Sequence, residues 1–570
     1  MKKVSILTIF ILLTALLLTS VAAVSPRQEQ SPNRFNLCGF PLSYRTRQVS
    51  HPWVPWEPRP VVGPQKTLVL MVEFSDVKLR SSTDKLANMV EAVKKWFEES
   101  SYGKMTIDYY MYPYPVTLPR PYSYYGSPAS GAQRGDDPKK IVEYYVSVFT
   151  YIYRKTDLDF GEYTHIILIH AGGDEAVTDN ANDIWSHCYC LGPAVKKLPP
   201  QALEELKGLL YLPDRSGGWH AIYGVETVSE EEDMHVMIHE FTHSNGIPDL
   251  YVYAEDGYSK GSEAGFWSNM DAGAFIGADI DGWSKYILGW VEPKIYTIPV
   301  NDEVELYTLD NTEGLKAVLV NIPGDPNHYY FIHARRRAGH DVNLPGEGVL
   351  VFKVDKTLPK TVEDNFMVKF YDANPNTPEA CKQWENDFNM WSMCVKLDAP
   401  FNDHKTYKWR KFVLNFENPV FWSEEDKFGI RVLSYDESRG VFKIRLASSP
   451  EALGGKGAVT TTTTTTVTET HVSTVTTSIA GTVTTVTGTV TSVRTITTAV
   501  APKPAGGDVW VFIILVIAVL IAAAFVISVR RRAAPPPPPP PSVSYQYCPV
   551  CGAPLYPGVR YCWRCGAKVG

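Results

Sequence analysis

The chain has 570 residues, 44% of them hydrophobic and 21% charged, with a formal net charge of −7. That length is too great for one domain and supplies ample apolar side chains for a core. The mild acidity and the lack of a long basic run exclude nucleic acid as an expected partner.

In chain order, Lys2 and Lys3 precede an apolar run from Val4 to Leu18, and Val21-Ala22-Ala23 offers a small-residue cleavage site. Residues 1–23 therefore read as a signal peptide, which implies export to a disulfide-permissive exterior. Residues 24–64, rich in Pro, Trp and Arg with little periodicity, read as a leader or prosegment. Thr67 to Phe74 is a continuous apolar run typical of a buried strand. Asp84 to Glu99 has helical spacing, with Leu86, Met89, Val90, Val93 and Phe97 on one stripe. Tyr163 to His170 is a second buried strand, and residues 230–245 form a helix. This alternation predicts an α/β or α+β core over residues 65–292.

The helix at 230–245 carries His239-Glu240-Phe241-Thr242-His243, continued by Gly246 and Asp249. Residues four apart project from one helical face, so both imidazoles can bind one zinc ion, with Glu240 beside the open position. Gly246 can supply the left-handed turn that ends the helix, letting Asp249 return as a third ligand. Three protein ligands plus a water is the donor set of a catalytic zinc site. An amphipathic helix with two ordinary histidines is the competing reading. Met237, Ile238 and Phe241 weaken it, because buried charged groups in so apolar a helix need a partner such as a metal. His235, one turn earlier on the same face, reads as packing or as support for a ligand.

These residues resemble the immune inhibitor A group of secreted metallopeptidases, the M6-type branch of the metzincin-like zincins. The likeness includes Asp249-Leu250-Tyr251 after the motif and runs over residues 65–355. It takes in Phe97 to Ile107, Ile169 to Gly173, Ile184 to His187, Gly265 to Met270 and Trp283 to Trp290. It also takes in the β-rich stretch Leu344 to Val351. The resemblance implies an α+β zincin (metzincin-like) catalytic domain that hydrolyses protein or peptide substrates. It implies one catalytic zinc on His239, His243 and Asp249, with Glu240 as general base and Met270 as the turn methionine beneath the metal. Thr242 and Asn245 depart from the family's usual small residue and Leu, without touching a ligand. The family's calcium-like acidic stretch is reduced here to Asp157-Leu158-Asp159-Phe160-Gly161, which lacks the convergent oxygens of a calcium loop, so calcium is not carried over. His187 and Tyr251 are candidates for oxyanion support that the sequence cannot place. Asn36 to Pro41 is similar to the cysteine-switch segment of matrixin proenzymes, which makes Cys38 a candidate inhibitory ligand. Leu37 replaces the Arg usual there, and a disulfide or an inert thiol remains the alternative.

Residues 293–448 change to short strand-like runs such as Val304 to Tyr307 and Ala317 to Val320, which predicts a β-sandwich-like domain. It reads as a brace or as a substrate-binding module. Residues 453–507, dominated by Thr, Val and Ser, cannot form a core and read as an extended stalk, although the Thr-Val alternation also suits β structure. Val509 to Val529 is long enough, at roughly 31 Å as a helix, to cross a bilayer. Arg530 to Arg532 place its C-terminal side in the cytoplasm. Residues 530–544 form a basic, polyproline linker. The tail at 545–570 holds Cys548-x2-Cys551 and Cys562-x2-Cys565, the signature of a small zinc ribbon with one structural zinc on four thiolates. Whether a cytoplasmic partner binds it is open. Of the five cysteines before the span (Cys38, Cys188, Cys190, Cys381 and Cys394), Cys381 and Cys394 form a plausible local bridge. Together these features predict a membrane-anchored, outward-facing peptidase. The competing class is a binding or sensor protein on the same scaffold, signalling through the ribbon.

Overall fold

The computed structural model describes residues 58–454 apart from 131–134, 199, 254–258, 359–364, 375–380, 382–393, 404 and 411, and four strand segments beyond. It divides into two units, residues 1–454 and 455–570, taken separately below.

The first unit is organised by strands β1 (Gly63–Glu73), β2 (Met105–Met111), β3 (Val116–Thr117), β4 (His165–His170) and β5 (His187–Cys190). A small separate hairpin, β6 (Tyr211–Pro213) and β7 (Trp219–Ala221), precedes β8 (Gly224–Ser229). The main sheet runs β2-β1-β4-β8-β5, with β3 also on β1. All pairings are parallel except β5, which lies antiparallel on β8 at the edge. Parallel strands covered on both faces need continuous apolar runs, and β1 and β4 have them. Alternate residues go to opposite cores: Val69, Met71, Ile167 and Ile169 to one, Leu68, Leu70, Ile166 and Leu168 to the other.

Helices α1 (Thr83–Ser100), α3 (Met234–Ser244) and α4 (Gly282–Ile287) cover the first face, and α2 (Pro138–Lys155) the second. The stripe expected on α1 is buried at Leu86, Val90, Val93 and Phe97, and Ser82 caps its start by accepting from Lys85 N–H. The layered, mixed α/β arrangement is consistent with a zincin-like catalytic domain. Residues 59–63 also join this body: Arg59 and Val61 N–H donate to Ile287 and Leu288 carbonyls, and Trp290 Nε1 donates to Val61.

Residues 294–447 form two larger sheets and a two-stranded one, Lys405–Trp409 with Phe412–Phe416. Five strands run in the order Lys294–Thr297, Ala317–Ile322, Asp325–Arg335, Gly348–Asp355 and Val368–Phe370. Four run in the order Asn301–Tyr307, Val441–Ala447, Phe428–Asp436 and Val420–Ser423. Val318, Val320 and Ile332 of the first meet Ile430, Phe442 and Ile444 of the second in one core, the sandwich packing expected of two sheets. The other face of the five-stranded sheet, with Leu319, Phe331, Leu350 and Phe352, shares the core of Phe97, Phe241 and Trp283. One apolar core therefore runs across residue 292.

In the second unit Thr462–Ile479 pairs antiparallel with Thr482–Ala499, the β structure that the Thr-Val alternation also suits. β-branched Thr and Val favour strands. Gln546–Tyr547 pairs with Pro554–Leu555. The signal peptide, Cys38, the span 509–529, the linker 530–544 and Cys548, Cys551, Cys562 and Cys565 lie outside the described residues. Among the described residues no helix is long and apolar enough to cross a membrane.

Candidate metal centre

Helix α3 starts one residue after Asp233, whose side chain caps it by accepting from His235 N–H at 3.1 Å. Met237, Ile238 and Phe241 are buried on it, with Phe241 stacked on His165 at 4.7 Å and against Phe97 at 5.2 Å. Its C-terminal half lies close to the sheet: a Cβ on Gly224 of β8 would meet Ser244 Cβ at 2.3 Å. Asn245 Nδ2 donates to Phe241 O at 2.7 Å, and Thr242 Oγ1 donates to Ile238 O at 2.7 Å. Both departures from the family pattern thus satisfy carbonyls of the helix. Gly246 has φ +99° and donates its N–H to His243 O at 2.7 Å, so it makes the expected left-handed turn.

That turn returns Asp249 to the two histidines. His239 Nε2 and His243 Nε2 are 3.0 Å apart, and each lies 3.1 Å from Asp249 Oδ1. A tetrahedral zinc with ligand bonds of about 2.0–2.1 Å holds its donors about 3.3 Å apart, close to this triangle. Each ring also has its other nitrogen committed: His239 Nδ1 to Asn269 O and His243 Nδ1 to Ile247 O, both at 2.7 Å. A carbonyl on Nδ1 requires the proton there, which leaves both Nε2 lone pairs for a metal. The residues therefore fit zinc. Among the described residues this is the one group of three or more His, Cys, Asp or Glu whose donor atoms converge in this way.

Asp249 Oδ2 accepts from the Tyr253 hydroxyl, and the Tyr251 hydroxyl lies 3.3 Å from that of Tyr253. The second carboxylate oxygen is thus taken, which leaves Oδ1 as the donor. Burial pushes the Asp249 carboxyl up, but while the rings carry Nε2 protons, the protons that a metal would replace, the charge on His243 and hydrogen bonds from both imidazoles hold it far below the ordinary value. Beside it, burial raises Glu240 to about 8, with His239 opposing and Asp249 reinforcing. Glu240 Oε2 is buried without a hydrogen-bond partner among the described residues.

Met270 is fully buried in the same core as Ile238 and Phe241, and its carbonyl accepts from Leu250 N–H at 2.8 Å. The methionine segment thereby anchors the residue after Asp249, while the Asn269 carbonyl orients His239. The other candidates go elsewhere. His235 Nδ1 bonds Asp233 Oδ1 at 2.5 Å. His187 is engaged at both nitrogens, with Tyr145 Oη and Trp185 O, each at 2.6 Å. Asp159 of the calcium-like stretch caps a short turn, accepting from Gly161 and Arg215 N–H.

Three neighbours escaped the sequence reading. Tyr253 has no motif signal beyond following Asp249 by four residues. Asn269 acts through its backbone carbonyl, which no side-chain pattern reveals. Glu226 of β8 is fully buried and faces the side of the sheet that α3 covers, and burial raises its carboxyl to about 8 despite the Ser244 hydroxyl. Cys188, paired across the ladder with Glu226, is a buried free thiol; Cys190 is disulfide-bonded, and Cys381 bridges Cys394.

A parallel sheet backed by a helix that presents two imidazoles, with a carboxylate returned by a glycine turn, defines the class of zinc metallopeptidase domains. Comparison with known proteins agrees. Residues 156–286 match the family model described as immune inhibitor A peptidase M6, catalytic domain. The chain is 25% identical over 267 residues to "Immune inhibitor A" of Bacillus thuringiensis subsp. alesti, covering 38% of this chain and 37% of that protein. The chain thus spans little more than a third of the length of that curated relative. These matches support a zinc metallopeptidase domain.

Proposed function

We propose that the chain is a membrane-anchored zinc metalloendopeptidase that cleaves proteins outside the cell. The observation that carries this reading is the convergence of His239 Nε2, His243 Nε2 and Asp249 Oδ1 on the helix that bears Glu240. Zinc, when bound, supplies Lewis acidity toward the scissile carbonyl and acidifies a water. The chain's residues do the rest. The carbonyls of Asn269 and Ile247 hold both imidazoles in the tautomer that offers Nε2. Glu240 accepts a proton from the attacking water at Oε2 and returns it to the leaving nitrogen. Met270 provides an apolar floor.

Export is supported by the Cys381–Cys394 bridge, since structural disulfides persist in oxidising compartments. The apolar segment 509–529 followed by Arg530 to Arg532 then serves as the anchor, with the ribbon cysteines inside holding a structural zinc. The test is cleavage of an unfolded protein substrate by the full chain, with and without a chelator. Glu240→Ala should retain zinc yet lose activity by about 10²-fold or more. Equal cleavage by the two forms overturns the mechanism.

A further inference from the structure

The segment that supports the metal ligands is itself held from the β-rich region. Arg335, at the end of the strand Asp325–Arg335, is fully buried. Its Nη1 donates to Trp267 O at 2.6 Å and its Nη2 to Asp279 O at 3.1 Å. Those carbonyls bracket Ser268 to Ala278, the loop that carries Asn269 and Met270. The Asp279 carbonyl also accepts from Asn269 N–H at 3.1 Å, so Arg335 and Asn269 share one acceptor. The guanidinium is fixed in turn by Asp341, through Nε to Oδ2 at 2.6 Å, and Asp341 Oδ1 accepts Asp279 N–H at 3.0 Å. The Asp279 side chain is bound by Lys285 Nζ and Ser100 Oγ, each at 2.6 Å.

A planar guanidinium has donors in a fixed fork, so two carbonyls that it bridges are held at a set separation, which a flexible ammonium cannot do. Both ends of the methionine loop are therefore pinned to the five-stranded sheet. The loop passes this constraint on through two contacts: Asn269 O to His239 Nδ1 at 2.7 Å, and Met270 O to Leu250 N at 2.8 Å. One sets the ring plane of a ligand, the other the backbone beside a ligand.

We propose that Arg335 is a positioning residue for the metal centre. The β-rich region is then part of the apparatus that sets the ligand geometry, and is neither a detachable brace nor a separate substrate module. This rests on the metal reading of His239, His243 and Asp249. Other contacts across the same boundary, such as Trp283 Nε1 to Tyr329 Oη at 2.8 Å, do not reach the loop and serve as controls.

The experiment is cobalt(II) titration of the full chain, Arg335→Lys, Asp341→Asn and Tyr329→Phe. Each is read as the difference spectrum against the same protein carrying His239→Ala, which removes any signal from the tail cysteines. Arg335→Lys and Asp341→Asn should each weaken cobalt binding by about tenfold or more and alter the visible band, as supporting-residue changes do. Tyr329→Phe should lower stability while leaving affinity and band unchanged. Wild-type affinity and spectrum in folded Arg335→Lys overturn the proposal, as does equal weakening by Tyr329→Phe. If Arg335→Lys fails to fold, Asp341→Asn decides by the same two readouts. If the unaltered chain shows no His239-dependent binding, the metal reading itself falls. Intact binding with indifferent variants removes only the role of Arg335.

Discussion

The Tyr253 hydroxyl is the sharpest single probe of the centre, because Tyr253→Phe deletes one oxygen and leaves the ring in place. The hydroxyl donates to Asp249 Oδ2, and the two residues are only 6% and 3% exposed, so water has little room to replace it. A hydrogen bond to a charged group contributes about 1.5–3 kcal/mol, and its loss leaves a buried carboxylate oxygen unsatisfied. The same bond fixes which oxygen faces the imidazoles. Loss of such support weakens metal binding by about 10- to 100-fold, which is about 1.4–2.7 kcal/mol. The assay is competition for zinc between the full chain and a chromophoric chelator, with the His239→Ala chain subtracted to remove the tail. Near-ultraviolet circular dichroism checks that the fold is kept. A zinc affinity within twofold of the unaltered chain, in a folded protein, would refute the argument that Asp249 needs its second oxygen held.

Two further expectations concern stability. Burial holds His170 and His187 at about 4, against about 6.5 when unfolded. Between those values the unfolded chain binds more protons, so these rings make the fold less stable as pH falls from 6.5 to 4. The ceiling is about 3 kcal/mol for each ring. Glu226 and Glu240, raised by burial, act in the opposite direction, so the measurement is the difference in urea midpoint between the unaltered chain and His170→Asn. That difference should shift between pH 7 and pH 4.5, and a constant difference contradicts the reading. Phe241→Ala removes a fully buried ring between Phe97 and His165 and should destabilise by about 3–5 kcal/mol. A loss below about 1 kcal/mol, measured by denaturation, would mean that α3 does not anchor the core as described.

What the sequence revealed and what it hid divide along the range of the interactions. Continuous apolar runs at 67–74 and 163–170 identify β1 and β4, because a strand covered on both faces has no polar side to show. The stripe on α1 and the spacing of His239 and His243 are equally local, and Gly246 announces its turn through its own backbone freedom. Tyr253, Asn269 and Arg335 act through contacts whose partners are fixed only once the chain has folded. Arg335 stands 68 residues from the Trp267 carbonyl that it holds and 56 from that of Asp279. The partners there are main-chain carbonyls, which every residue possesses, so no pattern of side chains could mark them.

The position of residue 292 follows the same logic. A change from helical to strand periodicity marks a change of element type, which by itself suggests a domain boundary. Whether it is a boundary depends on the outer face of the next sheet. Ala317 to Val320 is apolar at every position, and Tyr329 to Ala334 is buried throughout. An antiparallel sheet with one face in water alternates, so a sheet without alternation must be covered twice. The four-stranded sheet covers one face of this one. The other is covered by the side of α1, α3 and α4 with Phe97, Phe241 and Trp283. The absence of alternation thus required a second partner, though it could not say which. Once that partner is the layer carrying His239 and His243, a strand ending in Arg335 comes within reach of the methionine loop, and the β-rich half acquires a way to act on the metal ligands.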